Sequence, residues 1–478
     1  DYVNTICGGK VPSSGPALTS YLSARLFFRN VSGGVFYAVR SKPLPQVKFE
    51  LDMTNTGLIN LTVKDDVFDF NVNDVAVNYV VKDNSETPLS IVTGIFNAIT
   101  GNPYIGESVY LAEGTDIAAG IIYLASTTGR PTDFVVGASS LLKGFTVSPT
   151  PSPTVTVVAA TLSAPKAADY IGTILGSFDS DVHNPGFLLA PEAFAHLLKQ
   201  SDRKAVGTAI ENHCSNELFT WFGLIDCGPP QPAGVTPGVD DKYINNHADA
   251  QVELANYTSA FGYIAYFAPY LVDLEGNLVP PSAGVAGVAV ARYRNTGFQT
   301  PPAGAKFPVK GVIDVEFKIT RAHQEVSNPI GLNAIRVLPN LGVVIWGSRS
   351  RSSSPYFKFV NTRVIVNVLM ATLRNAFHTE IFSVIDGQGI LFGRIKETAN
   401  SVCYRLWAGS ALYGLEPADS YLNICDESNN PGIDLENGIC RLDSYVTPSP
   451  TLERLLISVV RLPIGQVRIQ AAALQSGF

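Results

Sequence analysis

One stretch, residues 328–377, constrains the fold of this chain more than any other: NPIGLNAIRVLPNLGVVIWGSRSRSSSPYFKFVNTRVIVNVLMATLRNAF. An Asn-Pro-Ile-Gly turn at 328–331 leads into an apolar run at 334–338, and Pro339-Asn340 separates this from a second run at 342–346. The second run reads Val343-Val344-Ile345-Trp346 between glycines. β-Branched and aromatic residues bounded by turn residues predict a buried strand. A polar loop at 348–354 carries Arg349 and Arg351. Beyond it Val360, Val364 and Val368 recur every four residues, with Ile365, Leu369 and Leu373 beside them. That is one apolar stripe at helical spacing, so strand, basic loop and helix follow in order.

The rest of the chain divides around this unit. Residues 1–24 are polar and broken by Gly8-Gly9, Pro12 and Gly15-Pro16, which predicts an extended arm. Residues 25–160 read as a β-rich domain: Val47, Phe49, Leu51 and Met53 alternate with Lys48, Glu50 and Asp52, residues 67–70 continue the pattern, and 87–100 is helical. Pro149, Pro151 and Pro153 make 144–155 a stiff linker, where a domain boundary is expected.

Residues 161–327 read as the middle part of an α/β core. A strand at 187–190 ends at Pro191, helices follow at 192–199 and 203–216, and a strand comes next at 218–225. Strand, helix, strand is the crossover pattern of a parallel sheet. Residues 264–268 form a further apolar run, Gly284 and Gly287 suggest a tight turn, and 292–311 reads as a loop. Residues 328–462 complete the core, with a helix at 395–406, a hairpin between 421 and 440 and a strand at 452–462. Pro463 and Gly465 then break the chain. Val467 and Ile469 alternate with polar neighbours in a second extended arm, 463–478. The fold class expected is α/β (mixed α+β) and multidomain, with an α/β core, a β-rich outer domain and two terminal arms.

The chain has 478 residues, of which 46% are hydrophobic and 16% charged, with a net charge of −7. The charged share lies below the roughly 25% of an average soluble protein. Little polar surface on a large chain favours an assembly subunit. An acidic balance without a long basic run argues against direct nucleic-acid binding. No apolar run reaches the ~20 residues of a membrane span, so no membrane insertion is expected. Asp1-Tyr2-Val3-Asn4 has neither the basic nor the apolar region of a signal peptide and lacks Met, so the start reads as processed, trimmed or left outside the numbering.

Chemistry is sparse. The six cysteines, at 7, 214, 227, 403, 425 and 440, form no Cys-x-x-Cys and fit a protein folded in a reducing compartment. Cys214 with Cys227 and Cys425 with Cys440 are the nearest pairs along the chain, though buried free thiols are the commoner fate. The six histidines form no His-x-x-x-His, and there is no Gly-x-Ser-x-Gly and no Gly-x-x-x-x-Gly-Lys-Ser/Thr. No catalytic, metal or cofactor residues are therefore assigned, and no cofactor is expected.

The 328–377 run also resembles a known family. Asn-Pro-x-Gly-Leu-Asn-x-Ile-Arg from 328, Gly-x-x-x-Trp-Gly-x-Arg from 342 and Phe-Val-Asn-x-Arg from 359 match, in order and spacing, the C-terminal core of contractile tail sheath proteins. Pro-Pro-Ser-x-x-Val-Ala-Gly from 280 adds to the likeness, and Val364 departs from it where the family often has a second basic residue. The resemblance covers roughly residues 167–462. It implies a structural subunit, not an enzyme, of a phage tail or R-type pyocin-like injection system.

Such subunits stack as hexameric rings into a helical sheath around the tail tube, and their rearrangement drives the tube through a cell envelope. Their partners are further copies, the tube protein, and the baseplate and terminator or neck proteins. Their place is the virion tail, assembled in the host cytoplasm. The resemblance implies interlaced terminal arms, with Cys7, Val467 and Ile469 as arm candidates and a bridge from Cys7 to Cys425 or Cys440 as one option. It also puts the C-terminal core next to the tube, with Arg349, Arg351, Arg363, Arg394 and Lys396 as tube-facing candidates. Two alternatives stand beside this: a hydrolase-like α/β enzyme, and a non-contractile repeated shell or adhesin protein.

Overall fold

The computed structural model describes residues 15–31, 35, 38, 48–52, 64–72, 75–102, 109–111, 121–126, 134–136, 156–158, 166–176, 186–216 and 220–453. Its centre is a five-stranded sheet. Gly186–Leu189, Trp221–Asp226, Ile264–Ala268 and Leu332–Leu338 run parallel in that order, and Gly342–Ile345 closes the edge antiparallel to Leu332–Leu338. Every residue of Trp221–Asp226 and Ile264–Ala268 is buried. Helices cover both faces, which is why these strands read as continuous apolar runs instead of alternating ones. The mixed helix-and-sheet class and the parallel crossover are as expected from the sequence.

The two-residue strand period sorts the core into two layers. Ile225, Ile264, Tyr266, Ala268 and Leu332 pack with Phe194, Val206, Ile210 and Leu254 on one face. Phe222, Leu224, Ala265, Phe267, Ile335 and Ile345 pack with Leu26, Phe27, Val285, Val288, Val360 and Val364 on the other. At the carboxyl end of Trp221–Asp226, the carboxylate of Asp226 accepts from the Ser282 backbone N–H and from its hydroxyl, both at 2.6 Å. A strand end thus caps the helix Pro281–Thr296.

That second layer holds two corrections to the sequence reading. Gly15–Asn30 is a 16-residue helix, not the end of an extended arm. Leu22, Leu26 and Phe27 are buried, and Arg25 reaches Asp273 at 2.6 Å and Glu275 at 2.7 Å. Gly15-Pro16, which suggested a break, stands where a proline suits a helix's first turn. The second correction concerns the predicted turn at Gly284 and Gly287 and the first five residues of the predicted loop 292–311: these belong to one helix, Pro281–Thr296, and the loop starts at 297. These glycines meet the N-terminal helix. A Cβ at Gly287 would lie 2.8 Å from both the Asn30 Cβ and the Phe27 carbonyl oxygen, so only glycine lets the two backbones come this close.

In the region from 48 to 158, the described residues form two antiparallel sheets and the helix Pro88–Thr100. Lys48–Asp52 pairs with Ile121–Ser126 and Thr156–Val158, and Val67–Val72 pairs with Val75–Val80 and Phe134–Val136. The C-terminal part carries two long helices, Val360–Phe377 and Ile390–Ala408, and the hairpin Tyr421–Ile424 with Asp443–Val446. No helix among the described residues is long and apolar enough to cross a membrane. Cys7, Val467, Ile469, the 144–155 linker and nearly all of the predicted strand 452–462 lie outside the described residues.

Candidate functional site

The three blocks of the 328–377 run come together in one corner, and what they hold is the segment 449–453. Asn333, fully buried in Leu332–Leu338, donates its Nδ2 to the carbonyls of Tyr266 at 3.0 Å and Arg349 at 2.7 Å. Its Oδ1 accepts from the Arg349 backbone N–H at 2.6 Å. One amide side chain therefore does for the 348–354 loop what a further strand would do. The loop can approach because residue 347 is glycine: a Cβ there would sit 2.9 Å from the Asn333 Cα.

So anchored, Arg349 faces Glu453. Its Nε lies 3.0 Å from each carboxylate oxygen and its Nη2 lies 2.6 Å from Oε2. This is the fork geometry that makes arginine–carboxylate pairs specific in direction. Nη1 donates to the Pro329 carbonyl at 3.2 Å, and Asn328 Nδ2 reaches Glu453 at 3.3 Å. From the helix start, Asn361 donates to the carbonyls of Gln299 and Ser449, both at 3.2 Å, and its Oδ1 accepts from the Thr451 hydroxyl at 2.6 Å. Residues 449–453 are thus tied down by Asn328, Arg349 and Asn361, one from each block of the motif run.

The other two arginines of this corner are also turned inward. Arg351 Nε donates to the Tyr257 carbonyl at 2.7 Å and Nη1 to that of Ile330, which locks the loop onto the 257–264 segment. Arg363 is 3% exposed, with its guanidinium carbon 4.5 Å from the ring centres of both Tyr263 and Phe357. Burial pushes both guanidinium groups below their ordinary pKa. Val364, where the resembling family often has a second cation, is buried in the core, so this subunit has no room for a charge there.

The remaining predicted cations lie elsewhere, on Ile390–Ala408. Arg394 is exposed and pairs with Glu380 at 2.8 Å, while Lys396 is half-buried near Cys425 and Asp426. All five cations were candidates for the tube face; the fold places four of them, Arg349, Arg351, Arg363 and Arg394, in internal contacts. Asn333 and Asn361 were missed as functional positions. Their signal was present, as polar residues set into apolar periods, which predicts a satisfied hydrogen-bond network.

One buried polar cluster away from this corner is satisfied in the same way. Arg203 Nε meets Glu253 at 2.6 Å, and Glu253 also accepts from the Gly228 N–H at 2.7 Å and the Tyr266 hydroxyl at 2.9 Å. Among the described residues no group of three or more His, Cys, Asp or Glu is arranged to hold a metal ion.

No protein-family model matches the chain. It is 23% identical over 184 residues to the tail sheath protein of Vibrio phage KVP40; the match covers 38% of this chain and spans only about a quarter, 26%, of that relative. In fold it is similar to a chain of the anti-feeding prophage baseplate, with a TM-score of 0.50, 17% identity, and coverage of 76% of this chain and 90% of that one. A chain of the same prophage's helical sheath in the contracted state aligns over 90% of this chain and 99% of that one, at 15% identity and a TM-score of 0.47. In sequence over those 184 residues the chain is therefore similar to a phage tail sheath protein, and in fold to a chain of the anti-feeding prophage baseplate.

Proposed function

We propose that this chain is the repeating subunit of a contractile tail sheath. In this reading, copies stack as hexameric rings around a tail tube and engage a baseplate at one end and a terminator at the other. They are assembled in the host cytoplasm and act by rearranging without consuming nucleotide. The work comes from the free-energy gap between two packings of one folded subunit. The observation that carries the reading is the corner just described: all three motif blocks converge on residues 449–453, from which the last 25 residues, 454–478, continue. A subunit whose tail must link it to neighbours needs that tail to leave the core at a fixed place and angle.

Of the tube-facing candidates, Arg394 and Lys396 are the better placed to reach a partner: Arg394 is 54% exposed even with its pair to Glu380, whereas Arg349, Arg351 and Arg363 are held in the corner described above. Polar contacts of this kind suit a sheath that must release the tube, since exposed ion pairs contribute only ~0–1 kcal/mol each. Cys7, Val467 and Ile469 remain the arm candidates. Domain limits at 24, 160, 327 and 462 remain part of the proposal, with the first shifted toward residue 14 by the helix Gly15–Asn30.

The test is electron microscopy of the purified chain after polymerisation is induced. A sheath subunit gives long hollow cylinders. Discrete closed oligomers only, under every condition that folds the protein, would exclude the proposal and return attention to the enzyme and shell alternatives.

A further inference from the structure

The hairpin Tyr421–Ile424 with Asp443–Val446 is joined by a long connection, and a pair of thiols lies at its base. Cys425 follows directly on the first strand and Cys440 precedes the second. Their sulfurs are 3.9 Å apart. Cys425 is 2% exposed and Cys440 is partly exposed. Hydrogen bonds that do not involve sulfur hold the chain beside both cysteines. Asn429 Nδ2 donates to the Ile424 carbonyl at 2.9 Å and to Asp443 at 3.0 Å. Asn430 Nδ2 donates to the carbonyls of Asp426 and Arg441, both at 3.0 Å, and its Oδ1 accepts from the Arg441 N–H at 2.5 Å. The two thiols are therefore held as neighbours by the fold. Closing them to a bond length of about 2 Å brings two sulfurs together that already lie 3.9 Å apart.

We propose that Cys425 and Cys440 form an intramolecular disulfide when the protein meets a small disulfide such as oxidised glutathione, stapling the 426–439 connection to the end of the hairpin. Cys440, the more accessible thiol, loses its proton to solvent and attacks one sulfur of glutathione disulfide. A mixed disulfide forms, the glutathione S–S bond breaks, and one glutathione thiolate leaves and is protonated. The Cys425 thiol then gives up its proton and attacks the Cys440 sulfur, releasing the second glutathione. Two protein thiols lose two electrons in all, and one glutathione disulfide is reduced to two glutathiones. The order follows from the environments: burial, with the neighbouring Cys440, pushes the Cys425 thiol up to about 12, which suits it to the second step and not the first.

The staple has a structural consequence. The connection it closes carries Ile433, 69% exposed, and Ile439, 52% exposed. Its base packs against Leu391, Phe392 and Ile395 of Ile390–Ala408. Oxidation would therefore close an apolar surface loop at a base that packs on that helix. The proposal does not depend on the sheath reading, since it rests only on the two thiols and the side chains that hold them.

The test uses the full chain, purified reduced, freed of reductant and exposed to oxidised glutathione. Intact mass should fall by two hydrogens, and reductant should restore it. Trypsin leaves both cysteines in one peptide between Arg405 and Arg441, so digestion at glutamate is needed; it cuts between them at Glu427 and Glu436. The expected product is a linked pair of peptides carrying Cys425 and Cys440. Cys425→Ser should stop at one glutathione on Cys440, because the resolving thiol is gone. A wild-type chain that stays unmodified, that keeps glutathione on Cys440, or that links Cys7 to either thiol would overturn the proposal without recourse to any variant.

Discussion

Arg349 and Glu453 are 104 positions apart and meet in a two-pronged contact, Nε and Nη2 of the guanidinium against both oxygens of the carboxylate, at 2.6 to 3.0 Å. Their side chains are 22% and 18% exposed, so the pair is shielded but not desolvated. It is the last side-chain contact of the described chain before residue 454. Removing either partner is expected to cost about 1–2 kcal/mol, the range for a charged hydrogen-bonded contact of this exposure. Urea denaturation of Arg349→Ala, Glu453→Gln and the double variant gives the coupling. Limited proteolysis should show faster cleavage around 449–453 in both single variants with the core intact. Proteolysis at the wild-type rate would show that the pair does not hold the segment.

The Tyr263–Arg363–Phe357 sandwich predicts an asymmetry between the two cationic residues. Lysine keeps the charge but cannot lie flat between two rings. Arg363→Lys is expected to cost about 2 kcal/mol. Arg363→Met, which keeps the stem and drops a poorly solvated charge, should cost less than Arg363→Lys. If the urea midpoints fall in the opposite order, charge and not ring stacking holds this residue in place.

Gly287 gives a prediction of sign. In an exposed helix, Gly→Ala stabilises by up to about 1 kcal/mol. Here the added carbon meets Asn30 and the Phe27 carbonyl at 2.8 Å, so Gly287→Ala should destabilise by about 1–3 kcal/mol through separation of the two helices. The same contact restricts where the N-terminus can be cut. Removing residues 1–14 should leave a folded subunit, whereas removal through residue 30 strips Leu22, Leu26 and Phe27 from the core and should give aggregation. Equal solubility of the two truncations would contradict the packing described.

Two buried carboxyls set a pH dependence. Burial raises Asp226 to about 7 against the opposing bonds from Ser282, and burial alone raises Glu316 to about 7. Each holds a proton in the folded state that the unfolded chain releases near about pH 4. Their contribution to stability is therefore full below about pH 4 and is lost as pH rises through about 7. Asp273, whose carboxyl is depressed below its ordinary value by hydrogen bonds from Asn277 and Glu275 and by Arg25 against the effect of burial, titrates below that window and leaves the trend intact. Stability should fall by about 1–3 kcal/mol between about pH 5.5 and about pH 8, and Glu316→Gln should flatten part of the slope. His196 and His247, whose burial depresses their pKa, oppose the trend in both proteins, so a Glu316→Gln profile with the wild-type slope would contradict the assignment.

Legibility in the sequence followed the strength of local periods. The two apolar runs and the valine stripe of 328–377 gave Leu332–Leu338, Gly342–Ile345 and Val360–Phe377 within a few residues, because each repeats cleanly and ends on turn residues. The helix Pro281–Thr296 has no such stripe: its first nine residues, Pro281 to Ala289, are all buried, so it faces core on every side and its glycines imitate a turn. The helix Gly15–Asn30 was hidden by a Gly-Pro pair that marks its start. The roles of the arginines were not legible. Sequence places a cation at the surface by default, and Tyr263, Phe357 and Glu453 become their partners only once the sheet brings distant segments together. The resemblance singled out these arginines, and the fold turns Arg349, Arg351 and Arg363 inward.

The proposed sheath reading requires one folded subunit to serve two lattices. The most direct measurement is cryo-electron microscopy of the assembled sheath before and after contraction, with residues 166–453 of the two states superposed. The account predicts small internal deviations, an unchanged Arg349–Glu453 contact, and motion confined to the segments beyond it. Refolding within the five-stranded sheet or its covering helices, or particles with no second lattice at all, would contradict it.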